Sequence, residues 1–338
     1  MDATPSPLVG SSVMRRLGGW KAATSAAAVL ACAACGADTG GGGAPGPGGP
    51  PATNSAGPTA PARASAAPAH GQAAVRKALR RLEVSFRGRI GAYAIDMATG
   101  ITIGYREGER FPLASTFKAF AAGAVLAGTT EAELTRQVVR WTAGEVKPHS
   151  PQTGRHVADG MTLAALCRAA IVHSDNTAGD LLLKRIGGPR GLTRYFRSLG
   201  DPVSRLDRWE PELNVWSPRE RRDTTTPVSI ARDLRALTTG GALDAADRSR
   251  LVGWLRGNTT GDARIRAGLP PKWIVGDKTG TGGTYGTAND IAVVWPAEDA
   301  APIILAIYTN RLTPGGSADD EVVARTATVL VRGLGLLS

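Results

Sequence analysis

Apolar and polar positions change rhythm several times along this chain, and each change marks an element. From Gln72 to Leu82, Ala, Val and Leu recur at helical spacing with basic residues between them. Arg89 to Met97 and Ile101 to Tyr105 alternate like strands about the turn Ala98-Thr99-Gly100. A long, mostly helical stretch follows from Ser115 to Asn258, with loops rich in Pro, Arg and Thr. Within it, Met161 to Ile171 is an apolar helical pattern, and Thr224-Thr225-Thr226-Pro227 supplies a hydroxyl cap and a first-turn proline for another helix. Trp273 to Asp277, Asp290 to Trp295 and Ile303 to Thr309 read as three further strands. Asp319 to Leu334 is the closing amphipathic helix, with Ser317 as its expected cap.

Strands at both ends and helices between them predict a mixed α+β fold: a five-stranded antiparallel sheet flanked by helices, plus an inserted all-helical lobe. The α/β lobe is assigned to 72–112 and 259–338 and the helical lobe to 113–258, with a cleft between them as the natural ligand site.

Residues 1–71 break this picture, being dominated by Ala, Gly, Pro, Ser and Thr with almost no apolar periodicity. Arg15, Arg16 and Lys21 form a basic region ahead of the apolar run Ala22 to Ala34, which is too short to span a bilayer. Residues 1–35 therefore read as an export signal, and 36–71 as a flexible Gly/Pro/Ala linker. The arginine pair fits either general or twin-arginine export, and Met14 is an alternative start.

The chain has 338 residues and a net charge of +11, which raises the question of nucleic acid or another polyanion. The arginines are scattered, and no basic run is interleaved with aromatics, so a nucleic-acid partner is not expected. None of the four histidines falls in a zinc-ligand spacing, so no metal or other cofactor is expected. Of three cysteines, two lie in the signal region, which leaves Cys167 as a buried small hydrophobe without a disulfide partner.

Four strings carry the chemistry. Ser115-Thr116-Phe117-Lys118 at a helix start places an amine one turn from a hydroxyl, as an activated serine requires, and offers unpaired N–H groups to an oxyanion. Alone, Ser115 would read as a helix cap. Ser174-Asp175-Asn176 can project polar groups into the cleft, or simply end a helix. Glu210-Pro211-Glu212-Leu213-Asn214 is an acidic loop, and Lys278-Thr279-Gly280-Thr281-Gly282 is a polar turn after a strand.

Together and in this order, the strings resemble the class A serine β-lactamases, for which S-x-x-K, S-D-N and K-T-G are the established signature. The resemblance implies the two-lobed fold of β-lactamases and transpeptidases, and hydrolysis of penicillins and/or cephalosporins with the antibiotic resistance that follows. It implies Ser115 as nucleophile, Lys118 beside it, and Ser174 relaying a proton to the leaving nitrogen. Asn176 would touch Lys118, Glu210 and the substrate amide. Lys278 and Thr279 would hold the substrate carboxylate, Gly280 and Gly282 would let substrate approach the strand, and the Thr281 N–H would join that of Ser115 in an oxyanion hole.

Three of these strings also suit a penicillin-binding D-Ala-D-Ala peptidase or a non-hydrolytic β-lactam sensor. The fourth separates them: Glu210 is implied as general base on a deacylating water that Asn214 helps hold, with Arg208 and Asp223 pairing across the loop base. Whether Lys118 or Glu210 activates Ser115 stays open. Arg264 is the candidate support for the substrate carboxylate, and His149 stands where relatives carry a rim aromatic. Ala114 and Gly282 replace the cysteine pair of some carbapenem-hydrolysing relatives. Small residues before a cysteine and a Gly-rich stretch after it resemble a bacterial lipoprotein signal, with Cys35 as the lipidated residue and Cys32 fitting about as well. The expectation is an exported monomer, membrane-anchored only through that lipid, or secreted.

Overall fold

A computed structural model describes residues 69–337. The export signal at 1–35, Cys35 and all but the last residues of the 36–71 spacer lie outside the described residues.

The first described element is α1 (Ala69–Phe86), which runs past both ends of the predicted Gln72 to Leu82. It leads into β1 (Gly88–Asp96) and β2 (Thr102–Tyr105). After the helical middle come β3 (Ile274–Gly282), β4 (Thr287–Trp295) and β5 (Ile303–Arg311). All pairings among the five are antiparallel, in the order β2-β1-β5-β4-β3. The sheet is thus the one expected from the sequence, made from both ends of the described chain.

Its strands are buried on both faces. In β5, Ile303, Leu305 and Ile307 pack with α1 and the last helix, while Ile304, Ala306 and Tyr308 face the helical region. Alternate side chains of one strand serve two apolar clusters, which is why Ile303 to Tyr308 is a continuous apolar run rather than an alternating one. The larger cluster continues into α2 (Phe117–Ala127), α3 (Leu163–Val172) and α4 (Asn176–Arg185). Cys167 is a free, fully buried member of it, as expected.

Strands β4 and β5 also run past their expected ranges, and three further differences change what a residue does. Strand β3 does not stop at Asp277 but continues through the K-T-G string, pairing Lys278 with Ile291, Thr279 with Asp290 and Gly280 with Asn289. The backbone ladder holds these polar residues in the strand while their side chains serve the cleft. Met161 and Thr162 precede α3 as a short strand pairing with Val138 and Val139, and the Thr162 side chain caps the helix. Asp319, not Ser317, caps the last helix, α6 (Asp320–Gly333, with Pro227–Thr238 as α5), by accepting from the Val322 N–H at 3.2 Å. An aspartate cap and the acidic first turn Asp320-Glu321 both suit the positive helix end.

Candidate active site

Ser115 lies in a single 3-10 turn, Ala114–Thr116, that feeds directly into α2. It makes no capping hydrogen bond, so its hydroxyl is free for other work. Ala114 has φ 44°, a left-handed value that costs a non-glycine residue roughly 1–2 kcal/mol. Neighbouring bonds hold the turn: the Leu113 N–H donates to the Asp223 carbonyl at 2.8 Å, and Asn289 Nδ2 donates to the Pro112 carbonyl at 2.7 Å.

Lys118, fully buried one turn later, is the hub. Its Nζ donates to Ser115 Oγ at 3.0 Å, to the Ser174 carbonyl at 2.8 Å and to Asn176 Oδ1 at 2.5 Å. Glu210 Oε1 lies 3.0 Å away, so four oxygens surround one ammonium. Gly179 makes room for it: a Cβ there would sit 2.8 Å from Lys118 Cε.

The S-D-N string divides its labour. Ser174, at φ 55°, turns its hydroxyl toward Lys278, whose Nζ donates to it at 3.0 Å. Asp175 is structural, as the backbone-bonding reading requires. It caps α4 through Ala178 and accepts the N–H groups of Gln152 and Thr153, both at 2.9 Å. Asn176 reaches Lys118 but not Glu210, because its Nδ2 donates to the Pro148 carbonyl at 2.8 Å instead. The implied Asn176–Glu210 contact is therefore not formed. His149 sits beside Asn176 at φ 56°, its Nε2 3.2 Å from the His173 carbonyl, and lines the cleft.

The opposite wall is the loop 207–223. Arg208 Nε donates to Asp223 Oδ2 at 2.5 Å, while Asp223 Oδ1 accepts from the N–H groups of Asp207 and Arg208. This is the clamp expected at the loop base. Glu210 is fully buried, with Oε1 also 3.5 Å from Ser115 Oγ and Oε2 accepting from Asn214 Nδ2 at 2.6 Å. Its N–H donates to Asp180 Oδ1 at 3.1 Å, an anchor the sequence reading missed. Burial pushes the Asp180 carboxyl up to about 6, against the Glu210 N–H bond and with the Glu210 charge adding to the rise. The available signal was its place four residues after Asn176, on the same face of α4.

Strand β3 closes the third side. Thr279 Oγ1 meets Thr260 Oγ1 at 2.5 Å, and Thr260, also missed, lines the cleft. Arg264 is almost fully buried. It donates to Thr281 Oγ1 at 2.7 Å, to the Gly280 and Asn289 carbonyls at 2.9 and 2.8 Å, and to Asp320 at 2.8 Å. It borders the cleft and pins the strand end at once. Gly280 has a use beyond the expected one: a Cβ would lie 3.0 Å from the Leu113 carbonyl and 3.1 Å from the Thr116 nitrogen. The missing side chain lets the strand approach the nucleophile turn. Gly282 likewise abuts the loop, its Cβ position lying 3.4 Å from the Asn214 carbonyl.

Lys278 stands one layer behind the Ser174 hydroxyl. Fully buried, it donates to Ser174 Oγ and to the Thr279 carbonyl at 2.7 Å, and is not on the cleft wall. Burial pushes its ammonium well below the usual lysine range, and the charge of Lys118 pushes it further. An anion arriving in front of Ser174 would favour the charged form again. The cleft itself is a cavity of about 300 Å³ onto which Ser115, Ser174, Asn176, Asn214, Thr279 and Thr281 open. A serine hydroxyl, a buried ammonium–carboxylate pair and a cationic far end suit attack on the carbonyl of an anionic amide or ester.

Comparison with known proteins agrees in kind. Residues 74–333 match the family described as "Beta-lactamase enzyme family". The crystal structure of a β-lactamase from Streptosporangium roseum is similar at 66% identity and TM-score 0.77, covering 78% of this chain and all of that one. A double mutant of the class A β-lactamase of the last common ancestor of Gram-negative bacteria is similar at 49% identity and TM-score 0.74, covering 78% and 99%. The carbapenem-hydrolyzing β-lactamase KPC of Klebsiella oxytoca is 48% identical over 263 residues, 78% of this chain and 89% of that protein.

Proposed function

The chain belongs to the class A serine β-lactamases, hydrolases of the β-lactam amide that confer antibiotic resistance, and from that membership we propose how its own residues carry the reaction. The observation that carries the scheme is Glu210: one oxygen is shared with Lys118 and faces Ser115, and the other is held by Asn214.

In the resting arrangement Lys118 donates its protons, and the hydroxyl proton of Ser115 has Glu210 Oε1 as its acceptor. Lys118 and Glu210 form one proton-accepting pair beside that hydroxyl, so acylation does not depend on Glu210 alone. Ser115 Oγ attacks the lactam carbonyl, whose oxygen collects negative charge between the N–H groups of Ser115 and Thr281. Such a donor is worth roughly 100- to 1000-fold in turnover. The backbone approach at Gly280 supports that pairing. The ring C–N bond breaks, its nitrogen takes a proton from Ser174, which Lys278 orients, and Ser174 is replenished by the proton taken from Ser115, so that Glu210 is again a carboxylate before deacylation. The substrate carboxylate lies toward Thr279, Thr281 and Arg264. Glu210 and Asn214 then hold a water, Glu210 takes its proton, and the hydroxide displaces Ser115 from the ester. Ser115 regains its proton and the opened acid leaves.

Penicillins and cephalosporins are the proposed substrates, and the KPC relative adds carbapenems to the panel worth assaying. Export and lipidation at Cys35, placing the enzyme on the outer face of the membrane, belong to the same reading on the strength of the N-terminal pattern, and action as a monomer is proposed beside them. Purified protein should turn over a chromogenic cephalosporin through many cycles. One stoichiometric burst followed by silence would indicate a peptidase or a sensor instead.

A further inference from the structure

We infer that the outward face of α1 is a docking surface for an anionic lipid bilayer. The helix buries Val75, Leu79, Leu82 and Phe86 against the sheet. Its opposite face carries Arg76, Lys77, Arg80 and Arg81, all exposed, and Arg87 follows at its end. The spacing of three and four places the first four along one stripe. None of the five has an acidic partner within 4 Å among the described residues, although most other arginines near this face do. The one acid of α1, Glu83, is buried and occupied by Tyr105 and Arg106. The acids at the start of α6 are likewise taken: Asp319 by Arg311, Asp320 by Arg264 and Glu321 by Arg325. Helix geometry thus aligns Arg76, Lys77, Arg80 and Arg81 into a cationic stripe with no acid paired to it among the described residues.

Charge alone would suit any polyanion. What favours a bilayer is the apolar pair at the same end: Val84 is 75% exposed and Leu312 60%, and both border the groove shared with Arg87. A basic face with protruding aliphatic side chains fits an interface of anionic headgroups over acyl chains, whereas a hydrated polymer offers Val84 and Leu312 nothing. No described helix is long and apolar enough to cross a membrane, so the contact is peripheral. The position is also apt. Residues 1–68, with their export and lipidation pattern, join the fold at this helix. Helix α1 packs on β1 and β2, while the catalytic cleft borders β3 at the other edge of the sheet, so docking leaves the cleft open. The inference does not depend on the reaction scheme above.

The test uses the full chain carrying Cys32→Ser and Cys35→Ser, so that no lipid is attached. Co-sedimentation is measured with phosphatidylcholine vesicles and with equal mixtures of phosphatidylcholine and phosphatidylglycerol. The anionic vesicles should bind roughly ten-fold tighter or more, and high salt should abolish the difference. Replacing Arg76, Lys77, Arg80 and Arg81 by Glu should remove it too, while cephalosporin turnover stays unchanged and certifies the fold. Should that variant fail to fold, Arg80→Gln with Arg81→Gln carries the same test at several-fold. Val84→Ser with Leu312→Ser should weaken vesicle binding several-fold but leave binding to soluble polyphosphate alone. Equal vesicle binding by the charge variants overturns the inference. So does polyphosphate displacing the protein from vesicles with Val84 and Leu312 irrelevant, which would mark a polyanion site.

Discussion

The two walls of the cleft are built differently. On one side Ser115, Lys118 and Ser174 stand on the turn into α2, on α2 and on α3's exit, with both helices packed into the larger apolar cluster, and Lys278 backs them from β3, which is held by its ladder to β4. On the other side Glu210 and Asn214 ride on the loop 207–223, whose middle residues Val215 and Glu212 are exposed. That loop dips into the larger cluster only through Leu213 and is otherwise held by polar clips: Arg208–Asp223 at its base, Asp180 under the Glu210 N–H, and Lys118 across the cleft. Capture of a β-lactam thus rests on the core, and release of the acyl group rests on a loop. The two steps should be separable by mutation.

Glu210→Ala is expected to have the largest effect, lowering steady-state turnover by roughly 100- to 10,000-fold, the usual range for a positioned general base. Asp223→Asn comes next. Asp223 is nearly fully buried, accepts two backbone N–H groups and pairs with Arg208, so its loss should cost on the order of 3 kcal/mol in denaturant unfolding. Its burst-phase rate should fall less than its deacylation rate. Equal losses would mean that the loop base serves both steps, since the Asp223 carbonyl also holds Leu113.

Arg264→Ala sharpens the account of the core wall. The guanidinium holds Thr281, Gly280 and Asn289, so KM for several penicillins should rise roughly ten-fold with kcat less affected. An unchanged KM would remove Arg264 from substrate recognition.

The smallest effect concerns Asp180, with its carboxyl pushed up to about 6. A raised folded value means that the folded state keeps a proton which the unfolded chain releases near pH 4, so this group's contribution to stability is present at low pH and is lost as pH rises through 6. Asp180→Asn keeps an acceptor for the Glu210 N–H without the buried charge. Its melting temperature should exceed that of the parent by a few degrees at pH 7.5 and match it near pH 4. A gain of equal size at both pH values would rule out the charge as the cause.

The sheet was legible in the chain because strands buried on both faces leave long apolar runs, as in Ile303 to Tyr308. The end of β3 was not, because Lys278, Thr279 and Thr281 resemble a polar turn until the ladder to β4 is seen. Asp319 and Ser317 are both competent caps two residues apart, and composition alone does not choose between them. In the site, Ser115 and Lys118 were legible because their contact is local, one helical turn. Asp180 with Glu210 and Thr260 with Thr279 are 30 and 19 residues apart, and no local pattern announces either contact. The resemblance gave Asn176 a contact to Glu210 that this structure replaces with one to Pro148, and it did not include the Ser174 bond that Lys278 makes.

The separation of capture from release is tested most directly by intact-mass spectrometry of Glu210→Ala after brief exposure to a penicillin. The account predicts near-stoichiometric protein heavier by one penicillin, with the adduct on Ser115 and persisting long after the parent enzyme has returned to its free mass. Unmodified mutant protein that still clears the drug at the parental rate would contradict it.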